Sequence, residues 1–382
     1  MDVRDEFWVR VLLFEGIKKC TVKSRSELYI IDAKARNPVA SFSKAGPDVE
    51  ISSSKYGFFV NNRKVSGSQL LVKTNSPYVF GINGVEYRGK LKLIHNADGS
   101  FDAINLVPLE PYLSGVVGAE MPDYWEASAL ETQAIAARTY CLYIKKRFGV
   151  NRRWDVKKTQ ASQAYHGIAA ESARIQKAVD KTYGLVLVCR YGDGSEDVFP
   201  AYYSSVCGGH TENHQNVFGG ESLEPLVGVK CRYCKYTART PFYYWPMVQF
   251  DKKMVSEKIL KKYPKLKNLG KVVKLAASKK SVHEDEYITR MTMVKVSGST
   301  GKEGFLRGED LRLTVDPSGY KIKSTICEIV DMGEKWAFIS GRGFGHGVGM
   351  CQHGAQGMAR RGKRTSEILM HYYPGSTIKS IY

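Results

Sequence analysis

Acidic residues are scarce in this 382-residue chain: 38 Asp and Glu stand against 57 Lys and Arg, a formal net charge of +19. A field of that sign draws polyanions, among them nucleic acid, acidic wall polymers and peptidoglycan with free stem carboxylates. Aromatics are missing from the most basic stretch, 252–280, which holds little beyond Tyr263. Single-stranded nucleic-acid binding interleaves stacking rings with its charges, so this stretch reads as a solvated surface and nucleic acid is not an expected partner. No apolar run approaches the roughly 18–20 residues that span a bilayer. The start, Met1-Asp2-Val3-Arg4-Asp5-Glu6, puts charges where the apolar centre of a signal peptide would lie. The expectation is therefore a protein that stays inside, or one whose export segment has been removed. Eight scattered cysteines are too sparse for a small disulfide scaffold. Several catalytic signatures are absent too. Without HExxH a zincin protease is not expected, and without GxGxxG or a P-loop neither a phosphate cradle nor an organic cofactor is.

What is present is ordinary globular material, 43% apolar, enough for a sizeable core. The length favours two or three domains. From about Phe7 to Val107 the pattern predicts strands, for example Phe7–Phe14, Leu28–Ile31, Gln69–Lys73 and Lys90–His95, with turns at Asn83-Gly84 and Asp98-Gly99. A long helix follows. Asp123 can cap it with Glu126 three residues on, and Leu130, Ala134, Ala137, Cys141, Ile144 and Phe148 form a buried stripe up to Gly149. A second helix is predicted over Ser172–Thr182, and strands over Leu185–Arg190 and Val198–Ser205. The lysine-rich segment 250–285 reads as an inserted helical or solvated stretch, 286–340 as strands, and the end as a glycine-rich run followed by a helix that Pro374-Gly375 stops. The fold class is α+β, a mainly antiparallel β framework with a central helix and a few peripheral ones.

Four groups of residues can carry chemistry. Glu120 stands in Val116-Val117-Gly118-Ala119-Glu120-Met121-Pro122, a lone carboxylate among apolar and small residues just ahead of the predicted helix. Burial there would favour the protonated form that a general acid needs, whereas a helix N-terminus would favour the ionised one. Gln133, Arg138 and Thr139 lie off the apolar stripe and can form a site wall. Cys207 with His210 or His214, and Cys231 with Cys234, make two pairs that match a structural zinc site; a redox CxxC or buried free thiols fit the same residues. Glycine at every second position from Gly341 to Gly349 would, if extended, leave one strand face bare and put Arg342, Phe344, His346, Val348 and Met350 on the other.

Taken in order, these segments resemble the SpoIID family, stage II sporulation protein D and the related amidase-enhancer proteins. The matching stretches run from Leu109-Glu110-Pro111-Tyr112-Leu113-Ser114-Gly115 through Glu120-Met121-Pro122, then Gln133-Ala134-Ile135-Ala136-Ala137-Arg138-Thr139-Tyr140 and Ser162-Gln163-Ala164-Tyr165-His166-Gly167. They continue with Tyr203-Ser204-Ser205-Val206-Cys207-Gly208-Gly209-His210-Thr211-Glu212, Cys231-Arg232-Tyr233-Cys234, and Gly341 to Tyr373. The likeness covers about 85–382, so the expected division is a β-rich region 1–84 and a SpoIID-like region 85–382 carrying the insertion.

The resemblance implies a bacterial, secreted lytic transglycosylase, a lyase acting on peptidoglycan outside the cytoplasmic membrane. Such an enzyme cuts the MurNAc–GlcNAc bond of glycan strands freed of stem peptides and leaves 1,6-anhydro-MurNAc ends. Glu120 occupies the position of its catalytic acid/base. Gln133, Arg138, Ser204, Ser205, His346 and Gln352 are then candidates for binding sugar or holding Glu120. The family also implies one structural zinc, for which Cys207, His210, His214, Cys231 and Cys234 are candidate ligands. Position 351 is Cys where the family's glycine-rich motif has Ser. A non-enzymatic amidase enhancer, with a cell-wall amidase as partner, is the alternative within the family. A zinc-containing nucleic-acid-binding protein and a CxxC oxidoreductase are the alternatives outside it.

Overall fold

Strand-forming residues dominate the first hundred positions, and the computed structural model turns them into two sheets. It describes residues 7–43, 48–160, 162–283 and 288–382; Met1–Glu6 and the last two positions of the expected insertion, 284 and 285, lie outside the described residues. The chain forms two compact units, Met1–Val186 with Ser380–Tyr382, and Leu187–Lys379.

In the first unit a seven-stranded sheet runs in the order Val156–Lys157, Trp8–Ile17, Phe101–Pro108, Lys90–His95, Gln69–Thr74, Leu28–Asp32 and Pro38–Phe42. Neighbours are antiparallel except the short first strand, which pairs parallel to Trp8–Ile17. A six-stranded sheet contains Val85–Arg88, Val79–Ile82, Lys19–Lys23, Val49–Ser54, Gly57–Val60 and Arg63–Lys64. The turn predicted at Asn83-Gly84 is there, both residues at positive φ, joining two paired strands as this dipeptide favours. The sheets share strands from both sides of position 84, since Lys90–His95 pairs with Gln69–Thr74. The Phe58 and Phe101 rings, one from each sheet, meet at 5.5 Å.

Strand Phe101–Pro108 leads directly into helix α1, Leu109–Glu120. Pro111 is tolerated in its first turn, where the N–H groups have no intrahelical partner. Tyr112, Leu113, Val116 and Val117 are all buried, so α1 is enclosed rather than amphipathic. Two glycines permit this. A Cβ on Gly115 would lie 2.6 Å from the Tyr165 ring, and one on Gly118 would lie 1.8 Å from the Ala170 carbonyl oxygen. Helix α2, Ala127–Phe148, begins after Glu126 without a side-chain cap, so the expected Asp123 capping box does not form. Helix α3, Ala173–Lys181, lies within the predicted Ser172–Thr182, with Ser172 as its cap, accepting from the Ile175 amide.

The second unit has its own core, including Trp245, Val255, Ile259, Leu275, Val294, Leu311, Trp336 and Phe338. Part of that core comes from the lysine-rich segment, which is therefore more than a solvated insertion. Its helix, Lys252–Lys262, buries Val255, Ser256 and Ile259. The following strand, Val272–His283, pairs with Ile288–Gly298, which pairs in turn with Glu303–Arg307. The lysines solvate the outside while every third or fourth residue points inward. Position 286–340 also holds a helix, Gly308–Val315, that the strand reading missed.

Candidate active site and cysteine cluster

Glu120 is the last residue of α1, not a residue of the α2 start, so the end of the helix dipole next to it is the negative one. The sequence reading placed it at the opposite kind of terminus because two glycines in 115–118 hid the preceding helix. Its side chain is half-buried. The Ala164 amide donates to Oε1 at 2.9 Å. The segment bearing that amide is itself fixed: Gln163 donates to the Ala137 carbonyl at 3.1 Å and accepts from the Tyr112 hydroxyl at 3.1 Å, and the Tyr165 hydroxyl donates to Asn105 at 3.0 Å. Gln163 and Ala164 were missed as site residues. They lie in a quoted motif, but nothing in their spacing from Glu120 signals contact across 44 positions. On the other side, Arg174 holds the carbonyls of Asp123 and Trp125 at 2.9 and 2.8 Å, anchoring the loop that leaves Glu120.

Gln133 and Arg138 are in the same unit but in its interior, both with no solvent exposure. From Ala129 to Cys141 every residue of α2 is buried, so there is no wet wall beside the apolar stripe. Arg138 forms a bidentate pair with Glu110, at 2.8 and 2.6 Å, and donates to the Leu185 carbonyl at 2.9 Å. Its fork is committed to tying α2 to the start of α1.

Ser204, Ser205, His346 and Gln352 belong to the second unit. Ser204 is buried and accepts from the Gly347 amide at 3.2 Å. The Ser205 carbonyl accepts from the His353 amide at 3.1 Å. Gln352 is buried at the start of helix Gln352–Ala359. The His346 Nδ1 accepts from the Val348 amide at 3.0 Å, and its ring lies against Phe218 and Tyr202. Burial pushes His346 down to about 4, in keeping with a neutral ring. The glycine run is not a strand with a bare face. Gly343, Gly345, Gly347 and Gly349 all take positive φ, and a Cβ at each would strike Val206, Ser204, Arg290 or Tyr202. The run is wrapped closely by its own unit.

The cysteines assemble differently from the expectation. Cys207, Cys231, Cys234 and Cys351 are all buried, with their sulfurs within 4.8 Å of one another. They can hold a metal ion. The Cys207 and Cys234 sulfurs are 3.8 Å apart, and four sulfurs about 2.3 Å from one zinc would stand about 3.8 Å from each other. Around them the Cys207 amide donates to the Cys351 sulfur at 3.2 Å, the Gly209 amide to the Cys207 sulfur at 3.5 Å, and the Tyr372 hydroxyl lies 3.2 Å from the Cys231 sulfur. Such contacts orient metal-ligating thiolates. Hydrogen bonding from Cys207, Cys234, Cys351 and Tyr372 pulls the Cys231 thiol down, while burial pushes Cys207 and Cys351 up. Helix Gln352–Ala359 approaches closely because residue 354 is glycine: a Cβ there would lie 1.9 Å from the Tyr372 hydroxyl and 2.7 Å from the Cys231 sulfur.

Among the described residues neither His210 nor His214 belongs to this group. Cys351, the unexpected residue in the glycine-rich motif, takes the fourth position instead. His210 donates through Nδ1 to the Thr211 carbonyl, 2.6 Å away, and stacks on His283 with ring centres 3.6 Å apart. His214 is buried in the turn His214–Val217. Beside the stacked rings lies Glu212, 3.7 Å from His283 and 3.6 Å from Arg290. Burial works against its charge, but His283, the Arg290 guanidinium, Asn216 and Ser281 outweigh it and hold the carboxyl down at about 2.

Residues 97–189 match the sequence profile of the SpoIID family, described as stage II sporulation protein. An uncharacterised protein of Brachyspira hyodysenteriae is 31% identical over 333 residues, 86% of this chain and 82% of that protein. The amidase enhancer of Bacillus subtilis is 30% identical over 299 residues, 70% of this chain but 40% of its own length. Stage II sporulation protein D of Bacillus subtilis is 28% identical over 292 residues, 72% of this chain and 76% of that protein.

Proposed function

The chain belongs to the SpoIID family, and we propose that it is a peptidoglycan lytic transglycosylase with Glu120 as its acid and base. The observation that carries the reading is the state of this carboxylate: half-buried at the end of α1, with one oxygen held by the Ala164 amide. In the proposed reaction the protonated carboxyl gives its proton to the glycosidic oxygen between MurNAc and GlcNAc as that C–O bond breaks. The carboxylate then takes the proton of the muramic C6 hydroxyl, whose oxygen closes on C1. The product is a 1,6-anhydro end, and no water is consumed. Because the substrate supplies the nucleophile, one carboxylate suffices where hydrolytic glycosidases commonly use two. Gln163 and Arg174 act as positioning residues by fixing the Ala164 amide and the loop after Glu120.

The four cysteines fit one zinc ion, and we include it as structural. Four thiolates leave no open coordination position, so the ion would cross-link the segments around 207, 231–234 and 351. The substrate of this reaction lies outside the cytoplasmic membrane, so that location is part of the proposal.

The likeness to the amidase enhancer favours a second reading, wall binding that stimulates a partner amidase. Mass spectrometry of peptide-free glycan strands digested with wild type and Glu120→Gln separates the two. Anhydro ends made by wild type and lost in the variant support the transglycosylase. No new ends with either protein favours the enhancer, and reducing ends mean a hydrolase.

A further inference from the structure

In the middle of strand Phe101–Pro108, between Ile104 and Leu106, stands Asn105, which has no solvent exposure. A buried amide costs stability unless its hydrogen bonds are made, and the proton transfers at Glu120 give this one no direct part. Its bonds show what it holds. The side-chain nitrogen donates to the carbonyls of Arg88 and Lys90, at 2.9 and 3.2 Å, and the side-chain oxygen accepts from the Tyr165 hydroxyl at 3.0 Å. Both N–H groups of the amide are thus engaged, which fixes its orientation and turns its oxygen toward Tyr165. Burial pushes the Tyr165 hydroxyl up, so it stays a donor.

Arg88 and Lys90 flank Gly89, where the chain leaves strand Val85–Arg88 of the six-stranded sheet and enters Lys90–His95 of the seven-stranded one. The crossing lies tight against Phe101–Pro108: a Cβ on Gly89 would stand 2.1 Å from the Leu106 carbonyl oxygen. Strand Val85–Arg88 supports segment 163–171 at further points. The Tyr87 ring lies 5.5 Å from the Tyr165 ring, and the Arg88 guanidinium donates to both Glu171 oxygens at 2.9, 3.0 and 2.7 Å. Gly167 permits the approach, since a Cβ there would be 2.3 Å from the Glu86 carbonyl oxygen. From α1 the Tyr112 ring comes within 5.0 Å of Tyr165. Tyr165 is therefore gripped by ring and hydroxyl together, and the residue before it is Ala164, whose amide holds Glu120.

We propose that Asn105 is a positioning residue for the acid and base: by holding the Tyr165 hydroxyl it sets where the Ala164 amide stands, and so which way the Glu120 carboxylate points. This rests on the reading of Glu120 given above. It makes the crossing between the two sheets part of the support of the reaction, together with the Arg88–Glu171 pair.

The test uses the full chain and peptide-free glycan strands. Tyr165→Phe removes one hydroxyl and keeps the ring packing; Asn105→Leu removes its acceptor. Each should lower kcat about tenfold with KM nearly unchanged, since a misplacement of about 1 Å can cost up to about 10²-fold. The pH profile of kcat should move to higher pH, because a carboxylate that loses an amide donor holds its proton more tightly. The double variant should be no slower than Asn105→Leu alone, because both changes act along one path. Asp155→Asn, which breaks the pair with Arg10 in the same unit, should lower the melting temperature and leave kcat and its pH profile as they are. Glu120→Gln is measured alongside. If it is fully active, or if wild type makes no anhydro ends, the reading of Glu120 and this proposal fall together. If Glu120→Gln is inactive while Tyr165→Phe keeps the wild-type kcat and pH profile, the positioning role alone is overturned.

Discussion

The Cys207 amide donates to the Cys351 sulfur at 3.2 Å, joining residues 144 positions apart. Cys351 is thus built into the cluster, and its replacement should be felt there first. Cys351→Ser is expected to weaken metal binding by at least about a hundredfold, more than the 10–100-fold typical of lost outer contacts, and to lower the melting temperature. His210→Ala should keep full metal content. Elemental analysis of the purified proteins, with competition by a zinc chelator, decides the point; loss of metal in the histidine variant and not in the serine variant would sink the four-cysteine assignment.

Glu120→Gln should lower glycan cleavage by about 10²–10⁴, the range that acid–base catalysis contributes, with an unchanged melting temperature. Gln163→Ala should act more mildly and differently. It loosens the segment that carries the Ala164 amide, so kcat is expected to fall with little change in KM. Stability should drop by about 1–3 kcal/mol, because buried partners at Tyr112 and Ala137 lose their bonds. Steady-state kinetics and urea unfolding on the same preparations measure both.

Arg138 is expected to matter for stability and not for sugar affinity. Arg138→Met leaves Glu110 buried without its partner, at a cost of about 3–5 kcal/mol. Adding Glu110→Gln should recover part of the loss. A double-mutant cycle in urea measures the coupling, and additive effects would show that the pair is not coupled.

Gly118→Ala sets two effects against each other. Helix propensity favours alanine by about 1 kcal/mol. The new Cβ would lie 1.8 Å from the Ala170 carbonyl oxygen, and overpacking costs about 1–3 kcal/mol. The contact is with backbone, which yields poorly, so a net loss of stability is expected. Glu120 is only two residues on, so cleavage should suffer more than the melting temperature; a more stable, fully active variant would contradict this.

Glu212 should contribute to acid sensitivity. Its carboxyl is held at about 2 in the folded chain against an ordinary 4.5. The folded value is the lower one, so the contribution is fully present above pH 4.5 and is lost as pH falls from there through about 2. At 1.36 kcal/mol per pH step this interval corresponds to on the order of 3 kcal/mol. Urea midpoints taken from pH 5 to pH 2 should fall less steeply for Glu212→Gln than for wild type; parallel curves would contradict the assignment.

Local patterns reached a good part of this molecule. Strand Lys90–His95 appears as predicted, as do the Asn83-Gly84 turn and, to within a residue at each end, helix α3, because each depends on residues a few positions apart. Helix α1 was missed because Gly115 and Gly118 weaken its signal. Their reason is close contact with Tyr165 and Ala170, which no local pattern displays.

The order of motifs pointed to the family and, through that resemblance, to Glu120 as the candidate acid; the strand and helix patterns pointed to the mixed α+β class. Tertiary structure alone decided that Cys351 and not a histidine joins the other three cysteines. It also decided that Arg138 is occupied by Glu110, and that the Ala164 amide holds Glu120. Those outcomes depend on which distant segments pack together and on which polar groups must find a partner once water has been excluded.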